Sequence, residues 1–244
     1  MLTGIDHLVI AVPDVDAAAA ALDAAAGLRA SGGGRHPGQG TVNRLVWFGD
    51  SYLELIGVYD PELARASWIG EPTLRALNAG GGLATWAVAT DAIEADVGRL
   101  RDAGSDLGEL TAGERIRPDG RIVRWRLASP PMLAFDGPPF LIEHDASAAE
   151  WTPAERRERA TGPARLELLE LRVDDVDRTN QSFARTGGLR FRPSLVGGGA
   201  RDAEHPPAGK VPTTGPPTRR THRPTAGGDS GDPDDHLRSA GRPG

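Results

Sequence analysis

The chain has 244 residues, 39% of them hydrophobic, with 32 glycines and 20 prolines, enough for one large domain or two small ones. Its net charge of −6, with both signs interspersed, offers no basic stripe for nucleic acid and no polybasic patch for a membrane surface. The absence of cysteine excludes disulfides, thiolate metal sites and cysteine nucleophiles, so a metal could draw only on His, Asp, Glu and water. No apolar run approaches the ~20 residues of a membrane span. The N-terminus enters a strand within four residues, without a basic and apolar leader, and the expectation is a cytoplasmic protein.

Residues 4–12 (GIDHLVIAV) read as a strand closed by Pro13. Alternation places Ile5, His7, Val9 and Ala11 on one face and Asp6, Leu8, Ile10 and Val12 on the other. His7 is either a core histidine held by a hydrogen bond or a ligand projected into a cavity. The run PDVDAAAAALDAAAG predicts a helix capped by Asp14 or Asp16 and ended by Gly27. Residues 28–31 read as a short second strand. Residues 32–40 (GGGRHPGQG) form a glycine-rich loop that lacks the Gly-Lys-Ser/Thr ending of a phosphate loop. Within it, His36 could close over the cup and act as an acid or base, but it reads better as a solvated loop residue.

Gly49-Asp50 predicts a tight hairpin joining residues 41–48 to 51–58. Its register pairs Phe48 with Ser51, Trp47 with Tyr52, Leu45 with Glu54 and Asn43 with Ile56. Paired residues share a side. One face therefore carries Asn43, Leu45, Trp47, Tyr52, Glu54 and Ile56, an apolar and aromatic wall with one carboxylate and one amide.

Residues 61–79 read as a helical connector ending at three glycines, and the order of elements then repeats. Residues 83–90 predict a strand. Residues 92–103 predict a helix with Ile93, Val97 and Leu100 on one face, stopped by Gly104. A short strand near 106–110, a hairpin signal at Pro118-Asp119-Gly120, and strands at 121–128 and 139–143 complete the unit. Setting Gly4 over Gly82 brings His7 over Thr85; YLELI set against FLIEH is read as bringing Glu54 over Glu143. His144 then belongs to the opposite, surface face. Arg124 and Arg126, either side of Trp125, read as an outer salt-bridged face or as recognition of an anionic substrate.

A third copy opens at residue 165, with LELLELRV over the first strand and Leu168 in the place of His7. Past residue 196 the chain loses its aromatic residues and most of its apolar ones, so residues 197–244 read as disordered, a frameshifted or truncated continuation. The division is a βαβββ module at 1–60, a helical connector at 61–81, a second βαβββ module at 82–146, a charged linker at 147–164, a partial third module (βαβ) at 165–196, and the tail. The expected fold is α+β: paired βαβββ modules forming a curved, cup-shaped mixed sheet with helices outside, plus the truncated third module.

Polar groups inside such a cup point to a ligand. One histidine and two carboxylates on the first and last strands of their units, His7, Glu54 and Glu143, suit a divalent metal such as Mn, Fe(II), Ni, Zn or Mg. Water or substrate takes the fourth place, which holds Thr85. The cup wall is read as Asn43, Leu45, Trp47, Tyr52, Ile56, Thr85 and Trp125.

These segments, above all GIDHLVIAVPDVDAAAAAL, GGRHPGQGTVNRLVWFGDSYLELIGV and RPDGRIVRWRLA, resemble the glyoxalase-like branch of the vicinal oxygen chelate superfamily over roughly residues 3–145. The resemblance implies metal binding through the first and last strands of each module, with His7, Glu54 and Glu143 matching three ligand positions. Thr85 stands where the enzymes carry a fourth, His or Glu. The implied activity is that of a lyase, isomerase or dioxygenase on a small oxygenated organic molecule: the metal stabilises an enolate-like intermediate while Glu143 or Glu54 moves the proton. The rival reading is a small-molecule sequestering protein of the bleomycin-resistance type. The unfinished third sheet also offers an edge for a second chain, which leaves room for a homodimer.

Overall fold

The computed structural model describes residues 1–152, 154, 155, 166, 169–171, 173 and 175–187. Strand β1 (Leu2–Ala11) is its centre: it pairs in parallel with β4 (Ser51–Val58) on one side and antiparallel with β5 (Gly82–Thr90) on the other. Around it the sheet closes into a barrel in the order β1-β4-β3-β2-β6-β7-β8-β5. Here β2 is Gly34–His36, β3 Thr41–Phe48, β6 Thr111–Ile116, β7 Ile122–Ala128 and β8 Phe140–His144. Each half repeats one pattern, its first strand parallel to its last, and the halves meet at β1–β5 and through the Arg35–Ile116 pair of β2 and β6.

Helix α1 (Val15–Ala26) starts where the Asp14 carboxylate accepts from the Asp16 and Ala17 amides and stops at Gly27 in the left-handed conformation, as its sequence predicts. The β3–β4 hairpin has the predicted register throughout, including Trp47–Tyr52, Leu45–Glu54 and Asn43–Ile56. The connector resolves into α2 (Pro61–Arg65) and α3 (Gly70–Asn78). Helix α4 (Ile93–Asp102) lays Ile93, Val97 and Leu100 against the outer face of the barrel.

Two short strands fall elsewhere than expected. β2 lies inside the glycine-rich segment, because Gly33 brings the chain so close to β3 that an added Cβ would collide with the Asn43 carbonyl; residues 28–31 remain irregular. β6 begins at Thr111, after residues 106–110, which form a loop. In the third copy, the described residues within 166–173 are not in a strand; Leu166, Leu169 and Leu171 pack on the α4 cluster. Helix α5 (Val176–Gly187) follows, its buried Phe183 stacked on Trp86 with ring centroids 5.9 Å apart. The expectations for residues 197–244 lie outside the described residues. Among the described residues no helix is long and apolar enough to cross a membrane.

Two apolar layers follow from strand alternation. Outside the barrel, Leu8, Trp86, Val88 and Leu141 meet α4 and α5. Inside, Val9, Ala11, Ile56, Ala87, Leu127, Phe140 and Ile142 fill one end of the lumen, with Ile69 of the connector beneath them. The other end stays open as a cup.

Candidate active site

The cup is lined by inward residues of both halves and by residues 149 and 150, which follow β8. His7 lies at its base, 2% exposed, stacked on Tyr52 (centroids 4.5 Å apart, planes 12° apart) and edge-on to Phe140 at 5.4 Å. Trp47 leans on the far side of Tyr52 at 4.6 Å. The His7 Nδ1 is 2.6 Å from Asp6 Oδ1, and its Nε2 is 3.4 Å from Glu54 Oε2. Glu54, 7% exposed, accepts a 2.6 Å hydrogen bond from Asn43 Nδ2, and the Asn43 Oδ1 in turn accepts from the Gly34 amide at 2.9 Å. A continuous polar chain thus runs from Asp6 through His7, Glu54 and Asn43 to the backbone of β2.

Asp6 belongs to this chain through a β-bulge. Simple alternation assigns it to the outer face, but Ile5 pairs with Val88 and His7 with the next residue, Ala87, so Asp6 is an extra residue in β1. The bulge turns its carboxylate into the cup. There it also meets His144, whose Nε2 lies 3.2 Å from the same Oδ1. Burial pushes the Asp6 carboxyl up, but His144 and then His7, through charge and hydrogen bonding, outweigh it and hold it well below the usual carboxylate range. An ionised Asp6 accepts from both imidazoles, which places a proton on His7 Nδ1 and on His144 Nε2.

His144 is therefore a lining residue and Glu143 is not, the reverse of the sequence expectation. Pairing shows why. His7 faces Tyr52 in the first half, and Ala87 faces Phe140 in the second. Tyr52 thus corresponds to Phe140, Glu54 to Ile142 and Ile56 to His144; setting Glu54 over Glu143 is a slip of one residue, and in a strand one residue reverses the face. Glu143 points to the outer face and pairs with Arg126, which also pairs with Glu94 of α4. The same comparison makes Ala87 the counterpart of His7. Thr85 lies fully buried opposite Val9, away from the cup, and its hydroxyl has no hydrogen-bond partner among the described residues.

Of the expected wall, Asn43, Leu45, Trp47, Tyr52 and Trp125 line the cup, while Ile56 is fully buried in the apolar plug below. Gly113 lets Trp125 lie across β6, since an added Cβ there would collide with the indole. Sequence reasoning missed Asp6, Trp68, Arg115, His144 and Glu150 among the lining residues, and ranked the cup reading of His36 second. His36 is buried, not solvated: its Nδ1 lies 2.9 Å from Thr41 Oγ1 and its ring meets Trp125 edge-on at 6.0 Å. Burial holds its imidazole down to about 4, against the pull of Glu54 and with the help of Arg115, so it is neutral at pH 7. Burial, followed by the Asp6 and Glu54 carboxylates, raises the Tyr52 phenol well above its usual range, which makes Tyr52 a wall and not a base.

The structure does not gather the expected metal ligands. Glu143 faces away, Thr85 is buried elsewhere, and His7 and Glu54 remain as a pair. Among the described residues no three His, Asp or Glu side chains form a ligand cluster. The residues present do not fit the three-ligand ion that the resemblance implies.

A family model described as a glyoxalase-like domain matches residues 5–187, well over half of the chain. The chain belongs to the glyoxalase-like family. No curated protein sequence matches it. Among solved structures, a hypothetical protein from Staphylococcus aureus is similar at 20% identity and TM-score 0.50, with 63% of this chain and 62% of that one covered. The chain thus spans less than two thirds of that protein's length. Methylmalonyl-CoA epimerase from Mycobacterium tuberculosis shows 22% identity and TM-score 0.45, covering 60% and 91% of the two chains. A Streptomyces coelicolor methylmalonyl-CoA epimerase in complex with 2-nitronate-propionyl-CoA shows 23% identity and TM-score 0.44, covering 59% and 98%. The likeness to these structures concerns the fold alone.

Proposed function

We propose that this member of the glyoxalase-like family is a cytoplasmic enzyme of the isomerase or lyase type that removes a proton next to a carbonyl of a small oxygenated molecule. The observation that carries the reading is the buried Asp6–His7–Glu54–Asn43 chain at the base of an aromatic cup. With Asp6 holding the His7 Nδ1 proton, the Nε2 lone pair and a Glu54 oxygen would face each other at 3.4 Å and repel. A further proton on either group removes the repulsion. The pair is therefore built to hold one mobile proton: Glu54 takes it from the substrate carbon and passes it to the His7 Nε2, and the imidazolium so formed, anchored by Asp6, places positive charge beside the developing enolate. No step is routed through a metal, since His7 and Glu54 are the only members of the expected ligand set in the cup.

The test is exchange of the α-hydrogens of small 2-oxo and 2-hydroxy carbonyl compounds with deuterated water, followed by NMR. A Glu54→Gln variant that keeps its circular dichroism should lose about 10²–10⁴ of the rate. Exchange in that variant at the wild-type rate overturns the assignment. The aromatic walls of Trp47, Tyr52 and Trp125 favour a second reading, sequestration of an aromatic compound without turnover. Tight binding without exchange in any tested compound would favour it. Metal analysis of protein purified without chelators completes the set: about one divalent ion per chain, lost in His7→Ala, would restore the metal-dependent form of the reaction.

A further inference from the structure

On the wall formed by β2 and β6, two arginines share one carboxylate unequally. Glu150, 5% exposed, accepts from Arg115 Nη2 at 2.5 Å and from Arg117 Nη1 at 3.0 Å. Gly32 makes room for it, because a Cβ there would collide with the Glu150 carboxylate. Arg117 is fully served: its Nη1 also donates to the Glu150 carbonyl at 2.6 Å, its Nε and Nη2 donate to Asp119, and its guanidinium lies 3.9 Å over the Trp151 ring. Arg115 differs. It is 4% exposed, it lines the cup while Arg117 does not, and its Nη1 has no hydrogen-bond partner among the described residues. A buried guanidinium N–H left without an acceptor costs free energy that an incoming acceptor recovers.

Its position fits such an acceptor. Along the sheet five of the cup's polar groups occupy neighbouring strands: His7 on β1, Glu54 on β4, Asn43 on β3, His36 on β2 and Arg115 on β6. Arg115 is thus at the opposite end of the row from His7, and the His36 beside it is a neutral imidazole. A molecule whose reacting carbon lies at Glu54 extends its far end toward the guanidinium.

We infer that Arg115 is an anion-binding and specificity-determining residue of the cup, and that the substrate carries a carboxylate received by its Nη1. This rests on the reading of the cup as a substrate site and narrows the substrate to a carboxylic acid. A planar guanidinium binds a carboxylate oxygen better than a neutral amide oxygen because both charge and hydrogen bond contribute.

The experiment measures equilibrium binding of benzoate and phenylacetate, and of benzamide and phenylacetamide, through the fluorescence of the cup tryptophans. Wild-type protein should prefer each acid over its amide by at least about tenfold, and Arg115→Met should abolish the preference while Arg115→Lys retains part of it. Equal binding of acid and amide by the wild type, no binding of either acid, or a preference that survives in Arg115→Met overturns the assignment. If Arg115→Met fails to fold, Glu150→Gln decides: it keeps the arginine and removes the competing charge, so acid binding should tighten at least about threefold. Unchanged or weaker acid binding there sinks the proposal. All four compounds are also measured in Glu54→Gln, because binding needs no proton transfer. Acid preference with wild-type exchange in Glu54→Gln defeats the catalytic reading alone; lost preference with Glu54-dependent exchange defeats the anion site alone.

Discussion

In the first half of the barrel the inward positions of β1, β3 and β4 carry His7, Asn43 and Glu54, whereas the matching positions of β5, β7 and β8 carry Ala87, Trp125 and Ile142. The backbone patterns are the same, each with its first strand parallel to its last and a helix outside. The second half adds Trp125, Phe140 and Ile142 to the walls, sets His144 against Asp6, and supplies the Arg115 that reaches Glu150. A duplicated module has two sets of inward positions, and under the proposed function one set holds the proton chemistry while the other shapes the space around it. The arrangement keeps three buried acidic groups, Asp6, Glu54 and Glu150, each beside its own positive or donating partner.

The sharpest way to break this contrast is to treat the two glutamates alike. If the halves divide the work as described, Glu54→Gln loses the exchange activity by the factor given above, while Glu143→Gln changes it less than about threefold and costs at most ~1 kcal/mol in urea unfolding. The small cost follows because the Glu143–Arg126 pair is partly open to water. Comparable losses in both variants would refute the division.

Next in size is Glu150→Ala, which, among the described residues, strips one buried guanidinium of its only carboxylate and a second of one of its two. It should lower the unfolding free energy by about 3–5 kcal/mol, read by urea titration. A loss below ~1 kcal/mol would mean that this ion cluster does not hold the two sides of the cup together.

His36 sharpens the comparison through pH. Its imidazole is held down to about 4 in the folded chain, so between that value and the ordinary 6.5 the unfolded chain binds more protons. Stability should therefore fall as pH drops from about 6.5 towards 4, by on the order of 3 kcal/mol from this residue. His36→Gln should flatten that part of the urea-midpoint profile. Asp6 acts lower: its carboxyl is depressed in the fold, so its contribution is complete above the ordinary carboxylate range and is lost on further acidification.

The smallest effect concerns Thr85, once aligned with His7. Its buried hydroxyl has no partner among the described residues, so Thr85→Val should leave exchange unchanged and raise the unfolding free energy by up to about 1 kcal/mol. A loss of activity in that variant would return Thr85 to the site.

What the sequence by itself determined is local or periodic. The Asp14 cap and Gly27 stop of α1, the Gly49-Asp50 hairpin with its register, the repeat of modules, and the inward placement of His7 and Glu54 all depend on neighbours within about ten residues or on strict alternation. Tertiary structure decided the rest, because each remaining feature depends on pairing between distant strands. One extra residue in β1 against β5 turned Asp6 inward; the exchange of Glu143 for His144 was legible earlier, because YLELI over FLIEH taken residue by residue already puts Glu54 over Ile142. His36 became a buried residue only when β2 joined β3 and β6, and Arg115 met Glu150 across 35 residues of chain. A pattern of period two cannot show where that period slips, and a charge cannot show its partner until the barrel has closed.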